Sequence, residues 1–290
     1  MQINKINNLL ELFYKQYQKQ NKKSIFLQSL REPKKEYSWE DVYLNIHKLS
    51  DEISKHIKKN DRCLLVSENR PEWLISDLSI MLSGGVTVPV YTTYTERDYE
   101  YIIDDCTPTI IIISDEIQYE KIKNIIPKKN FIKKIIFFEN NKNIQEEFCL
   151  RIEDIFKRKN LNDKNFCNLK IQRRDMSCII YTSGTEGNPK GVMLSHGGIL
   201  NNCEGANQLL KTFISKNPKF LTWLPLSHSY EHTVQFVQIV VGARVFYAES
   251  IDRLIKNMSN CSPEIMTAVP RFYQNLHQKI NASFSKATGL

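Results

Sequence analysis

The sequence predicts an α/β fold of layered, mostly parallel sheets in two subdomains flanked by helices. Two observations carry this prediction. From residue 61 onward, short apolar segments of strand length alternate with amphipathic segments of helical length, which is the pattern of β-α-β units. The strand-like segments are also nearly continuous runs of valine and isoleucine, as at 109–114. Such runs are typical of parallel strands that are buried on both faces.

Composition and charge limit the classes of function. The chain has 290 residues, 41% hydrophobic and 25% charged, which is ordinary for a globular protein of one large or two smaller domains. The net charge of +8 is spread along the chain without a basic arm, so no nucleic-acid partner is predicted. A weak attraction to anionic lipid stays open. No apolar run approaches the ~20 residues of a membrane span.

Cysteine usage predicts a cellular location. The seven cysteines are odd in number and form no Cys-x-x-Cys pair. This pattern favours reduced thiols rather than a disulfide framework or a zinc ribbon. The predicted location is therefore cytoplasmic, with peripheral contact at a membrane left open.

The first half of the chain begins with helical segments and continues with the α/β alternation. A weakly amphipathic helix is predicted at 3–19 and a short strand at 24–27. Ser38 and Asp41 form a capping pair for the next helix. Further strands are predicted at 62–67, 86–91, 109–114 and 133–138, and helices at 71–82, 95–106 and 117–126. Pro71 opens one of these helices, and Gly84-Gly85 follows its end.

The stretch 139–174 is polar and rich in asparagine and lysine, with one short predicted helix at 152–158. It is the best candidate for an internal boundary, so we expect a first α/β subdomain at 1–150 and a second at 151–290. In the second, strands are predicted at 177–180, 192–194, 220–223, 243–247 and 264–268. Helices are predicted after Ser195, as its N-cap, to about 210, at 233–241, at 251–260 and from 270 past 280.

One stretch between two predicted strands concentrates residues that bind phosphate. It reads Tyr-Thr-Ser-Gly-Thr-Glu-Gly-Asn-Pro-Lys-Gly over 181–191. Backbone amides and hydroxyls can surround a phosphate, and the lysine adds a charge. It is not a Walker A loop, because Gly191 follows Lys190 and a strand comes next. An ordinary glycine-rich hairpin is disfavoured, since hairpin loops need only two to five residues and no lysine.

This stretch resembles the phosphate-loop signature of the adenylate-forming (AMP-binding) superfamily. The resemblance implies that Lys190 orients or neutralises the β- and γ-phosphates of ATP. It implies that the following residues surround them: Thr182, Ser183, Gly184, Thr185 and Gly187. Glu186 stands where the family usually has a second threonine. A carboxylate ~4 Å from a phosphate would cost about 4 kcal/mol. Glu186 therefore points away, helps to hold magnesium, or marks weakened ATP binding.

A second resemblance narrows the branch. Leu-Pro-Leu-Ser-His-Ser-Tyr-Glu at 224–231 is similar to a pattern of long-chain fatty-acid–CoA ligases, and 242–251 and 267–273 also resemble these ligases. The segments 69–73 and 85–91 resemble the superfamily as a whole, and that likeness concerns the fold rather than the chemistry. The implied activity is ATP-dependent activation of a long-chain fatty acid to acyl-AMP and then acyl-CoA, with Mg²⁺ and coenzyme A. The implied catalytic residues are Lys190 and His228, the latter beside the acyl carboxylate.

Two other interpretations stay open. The segment 228–232 also matches His-x-x-Glu-His, a zinc-peptidase signature, which would place His228 and His232 on one helix face. A non-catalytic nucleotide-binding or truncated protein is the other alternative. Three family elements have no match in this chain: the Tyr-Gly-x-Thr-Glu loop, the ribose-binding Asp, and the C-terminal domain with its catalytic Lys. We therefore expect the N-terminal part of such an enzyme, inactive in the full reaction on its own.

Overall fold

The computed structural model describes residues 2–139, 148–159, 170–182 and 188–286. In these residues, strands form two mostly parallel sheets with helices on their faces. The predicted α/β fold class is confirmed. Among the described residues, no helix is both long enough and apolar enough to cross a membrane.

The elements have the following bounds. The strands are β1 (Ile25–Ser29), β2 (Glu36–Ser38), β3 (Arg62–Val66), β4 (Val86–Val90), β5 (Ile110–Ile113), β6 (Lys134–Phe137), β7 (Cys149–Arg151), β8 (Met176–Thr182), β9 (Lys190–Ser195), β10 (Lys219–Thr222), β11 (Arg244–Tyr247) and β12 (Ile265–Met266). The α-helices are α1 (Leu9–Tyr17), α2 (Trp39–Ile53), α3 (Pro71–Leu82), α4 (Glu96–Cys106), α5 (Glu116–Glu120), α6 (Ile152–Phe156), α7 (His196–Leu210), α8 (Ser229–Val241), α9 (Leu254–Cys261) and α10 (Pro270–Lys286). Short 3₁₀ helices occupy Ile3–Lys5 and Ile126–Lys128.

The larger sheet has seven strands in the order β7-β6-β5-β3-β4-β8-β9. Its strands from β7 to β8 are parallel, and β9 returns antiparallel to β8 at the edge. The four isoleucines of β5 are fully buried between β3 and β6. This is the environment expected for an uninterrupted β-branched strand in a parallel sheet.

The smaller sheet has the order β12-β10-β11-β1-β2. Strands β1 and β2 come from the start of the chain. Strand β1 nevertheless pairs in parallel with β11, with Leu27 opposite Val245. Strands β8 and β9 meanwhile join the larger sheet. Both sheets therefore contain strands from either side of residue 150, and the boundary proposed there stays a prediction.

The largest cluster of buried side chains includes residues of α1, α2, α3 and α8 and of both sheets. Trp39 at the start of α2 stacks on Phe26 of β1, with ring centroids 3.8 Å apart. Trp73 of α3 and Phe236 of α8 are fully buried in the same cluster. These helices join the two sheets into one hydrophobic core.

Several helix boundaries differ from the predicted ones for local reasons. The helix predicted at 3–19 is interrupted, because Asn8 caps α1 by accepting a hydrogen bond from the Glu11 amide. The helix predicted at 117–126 is shorter in the structure: α5 ends at Glu120, and a 3₁₀ helix follows at Ile126–Lys128. Strands β2 and β7 were not predicted, because three residues carry too little periodicity.

Candidate active site

The β8–β9 hairpin brings together two of the predicted phosphate-binding residues. Thr182, the last residue of β8, lies opposite Lys190, the first residue of β9. Both side chains are exposed. Ser183, Gly184, Thr185, Glu186 and Gly187, also predicted to bind phosphate, lie outside the described residues.

The residue next to Thr182 in β8 is anchored to the helical layer of the larger sheet. Tyr181 is 2% exposed, and its hydroxyl donates a hydrogen bond to Asp105 near the end of α4. Burial and the Asp105 carboxylate raise the pKa of Tyr181, so the hydroxyl stays protonated as the donor. Sequence reasoning missed Asp105, which no motif marks.

Gly191 lies opposite Tyr181 in this register. A Cβ atom at position 191 would come within 2.9 Å of Ile179 Cγ2 and 3.2 Å of Tyr181 Cζ. The absence of a side chain therefore lets the Tyr181 ring pack against the β9 backbone.

We expect Gly191→Ala to lower the free energy of unfolding by about 1–3 kcal/mol, because the added methyl group overpacks the Ile179 and Tyr181 contacts. Urea unfolding measures the change. The matched control is Gly205→Ala in α7, where the new Cβ meets nothing within 4 Å. The control should gain about 0.5–1 kcal/mol from helix propensity. Equal effects at the two positions would refute the packing argument.

Ser195 connects the hairpin to the next helix. Its side chain caps α7 by accepting the Gly198 amide at 3.1 Å, as predicted. Helix α7 packs against α8. The N-terminus of α8 carries the second predicted catalytic residue.

His228 caps α8, and its side chain is exposed. Its Nδ1 accepts a hydrogen bond from the Tyr230 amide at 3.2 Å. In the neutral imidazole this acceptor role assigns the proton to Nε2. His228 can therefore present an N–H donor to an anionic ligand such as a carboxylate. The cap also explains why α8 begins four residues earlier than predicted.

The segment before His228 is held by a residue that sequence reasoning assigned only to the fold. Asn69 Nδ2 donates to the Leu224 carbonyl at 2.6 Å, and Asn69 Oδ1 accepts from the Leu226 amide at 3.1 Å. Asn69 follows β3 of the larger sheet, whereas Leu224 follows β10 of the smaller one. This amide joins the carboxyl-terminal edges of both sheets beside the candidate site.

An apolar cavity of about 710 Å³ lies between α7 and α8. Its lining includes Ser229 and Tyr230, the two residues after His228, and Thr267 after β12. Leu209 and Phe213 also line it and are exposed, at 71% and 67%. The cavity is thus apolar inside and open to solvent, and two of its lining residues directly follow His228 in the sequence.

His232 does not join His228 in a ligand pair. It is buried, with Nε2 2.8 Å from Asp77 Oδ2 and Nδ1 3.6 Å from Cys178 Sγ. Burial alone would lower the pKa of His232, but the Asp77 carboxylate and the Cys178 side chain together outweigh it and raise the pKa to about 10. Among the described residues, no three His, Cys, Asp or Glu side chains are grouped to hold a metal ion. These contacts give no support to a zinc peptidase.

Known proteins resemble this chain over most of its length. A family model described as AMP-binding enzyme matches residues 13–289. The chain is 28% identical over 263 residues to long chain acyl-CoA synthetase 3 of Arabidopsis thaliana, an alignment covering 84% of this chain and 39% of that protein. It is 29% identical over 273 residues to long-chain-fatty-acid–CoA ligase 6 of Homo sapiens, covering 89% and 39%.

Solved structures share the fold. A long-chain-fatty-acid–CoA ligase from Archaeoglobus fulgidus superposes with a TM-score of 0.75 at 19% identity, over 91% of this chain and 52% of that one. At this identity the likeness concerns the fold alone. The chain spans 39% of the length of the two curated relatives named above.

Proposed function

The chain belongs to the family of AMP-binding enzymes, and on that premise we propose that it forms the part of an ATP-dependent long-chain fatty-acid–CoA ligase that holds the triphosphate and the acyl group. The observation that carries the proposal is the apolar cavity between α7 and α8, whose lining includes Ser229 and Tyr230, the two residues that follow His228. An apolar cavity with a polar group at one end suits an amphiphile with one charged end.

The proposed reaction has two steps. The fatty-acid carboxylate attacks the α-phosphate of ATP, forming acyl-AMP and releasing pyrophosphate. The thiolate of coenzyme A then attacks the acyl carbon and displaces AMP. In the first step negative charge grows on the phosphate oxygens, so donors and cations fixed in advance lower the barrier most.

We assign roles to the residues in this scheme. Lys190, exposed and paired with Thr182 in the β8–β9 ladder, neutralises the β- and γ-phosphates. Thr182, Ser183, Gly184, Thr185 and Gly187 surround them, with Glu186 beside them. His228 donates from Nε2 to the acyl carboxylate and orients it. Mg²⁺ would offset phosphate charge, and we assign it no protein ligand.

The partners in this proposal are a long-chain fatty acid, ATP and coenzyme A. Cytoplasmic location and peripheral membrane contact stay predictions from composition. Because the chain spans only 39% of the two curated relatives, the full reaction has to be tested on a longer protein. Binding of the acid can be tested on this chain.

The test compares palmitate with hexadecanol, which has the same chain length without the carboxylate. We expect palmitate to raise the unfolding temperature more than hexadecanol, because His228 recognises the charged end. In His228→Ala this difference should disappear, while His277→Ala, at an exposed position in α10, should retain it. Equal stabilisation of the wild type by both compounds, or none by either, would contradict the proposal.

A further inference from the structure

Glu231 is a buried carboxylate on the first turn of α8. It is 1% exposed, and its Oε2 accepts a hydrogen bond of 2.6 Å from Thr267 Oγ1. Its Oε1 has no hydrogen-bond partner in the part of the chain that the structure describes. Burial of a carboxylate beside hydroxyls and without a cation is costly. An apolar side chain would serve packing better, so the carboxylate points to a further role.

Thr267 connects this carboxylate to the wall of the apolar cavity. It follows β12, precedes α10 and lines the cavity. Its backbone carbonyl accepts a hydrogen bond of 2.7 Å from Trp223 Nε1, and the Trp223 ring packs on Phe272 of α10 with centroids 5.0 Å apart. Thr267 thus contacts Glu231 through its hydroxyl and Trp223 through its carbonyl. These two contacts join the start of α8 to the ends of β10 and β12.

We propose that Glu231 is a positioning residue that holds the Thr267 segment against α8 and thereby sets the shape of the acyl cavity beside His228. The inference rests on the proposed function and deepens it, because it assigns selectivity for acyl chain length to a residue that need not touch the substrate. While the Thr267 segment is held against α8, the cavity keeps a shape that favours long, well-packed acyl chains. Loss of this contact lowers the affinity advantage of long acyl chains over short ones.

The charge of Glu231 determines how firmly the segment is held. Burial raises the pKa of Glu231 to about 7, against the smaller, opposite effect of the Thr267 and Thr222 hydroxyls. Tyr247 of β11, another ionisable group close to Glu231, is buried, and burial raises its pKa well above the usual value. The ionised carboxylate accepts the Thr267 hydroxyl at Oε2, whereas the protonated form loses acceptor capacity. The contact with Thr267 should therefore strengthen as the pH rises through neutrality.

The experiment measures affinity for palmitate and decanoate in the wild type, Thr267→Val and Thr267→Ser. Valine keeps the size of threonine but removes the donor, so the ratio of palmitate to decanoate affinity should fall about tenfold, the loss expected for one hydrogen bond to a charged group. Serine restores the donor and should restore the ratio. Glu100→Gln, at an exposed position in α4, is the matched control for loss of a carboxylate.

A second readout needs no ligand. Trp39 and Trp73 are fully buried, whereas Trp223 is half-buried and bonded to Thr267. The Trp223 emission should change near pH 7 in the wild type and in Glu100→Gln, and not in Glu231→Gln. Wild-type protein that binds neither acid would refute the proposed function. Binding of both acids with an unchanged ratio in Thr267→Val, or an unchanged emission response in Glu231→Gln, would overturn this inference alone.

Discussion

Asp77→Ala should lower the free energy of unfolding by about 3–5 kcal/mol at pH 6, because it leaves the buried His232 without its counter-charge. Both side chains are essentially inaccessible to solvent, and they lie 2.8 Å apart. Asp77 belongs to α3, His232 to α8, and Cys178, which also contacts His232, to β8. The pair thus joins two helices and a strand of the larger sheet, so its loss affects the core as a whole.

The effect should depend on pH with a definite sign. The folded-state pKa of His232, about 10, lies above the value of about 6.5 in an unfolded chain. The stability from the charged pair is therefore fully present below pH 6.5 and is lost as the pH rises towards 10. The wild type should lose its advantage over Asp77→Ala across this interval.

Urea unfolding at pH 6, 8 and 10 measures this prediction. Asp77→Asn keeps the side-chain shape and one acceptor, so it should cost less than Asp77→Ala and show a flatter pH dependence. Asp252→Asn, at an exposed position, is the control for a change in net charge. A difference between wild type and Asp77→Ala that grows towards pH 10 would show that His232 is not held in its charged form.

Lys190→Ala should weaken binding of ATP about 10- to 100-fold, because a lysine–phosphate contact is a hydrogen bond between charged groups. At 100 times its dissociation constant, ATP stabilises the folded wild type by about 2.7 kcal/mol. At the same ATP concentration the variant should lose about half of this stabilisation if binding weakens 10-fold, and most of it if binding weakens 100-fold. Its stability without nucleotide should not change, since Lys190 is exposed.

Thermal unfolding with and without ATP and Mg²⁺ provides the measurement. Lys58→Ala is a suitable control, because Lys58 is also exposed but lies before β3 at the opposite end of that strand from Asn69. Raising the salt concentration should reduce ATP stabilisation of the wild type and of the control alike. Undiminished ATP stabilisation of Lys190→Ala would remove the lysine from the proposed phosphate site.

Periodicity and capping residues made much of the fold predictable. Helix α3 has the predicted bounds, and Ser38 and Ser195 cap α2 and α7 as expected. These signals are local, since each depends on residues within one or two turns. The interactions that determine the order of strands are not local. The pairing of β1 with β11 depends on packing between distant parts of the chain, which periodicity does not record.

The candidate site shows the same division. Thr182, Lys190 and His228 were identified by motif, and the structure shows Thr182 opposite Lys190 and His228 at the start of α8. The supporting residues Asn69 and Asp105 contact the site from other elements. No spacing along the chain indicates such partners, because a hydrogen bond across the core leaves no period in the sequence.

The place of β1 has a consequence for synthesis on the ribosome. Leu27 must wait for Val245, 218 residues later, before the two strands can pair. At about 5–20 residues per second this delay is on the order of 10–40 s. During that interval one side of β1 offers unpaired amides and carbonyls to any other extended chain. The nascent protein therefore has a period in which chaperone protection of its first strands would matter most.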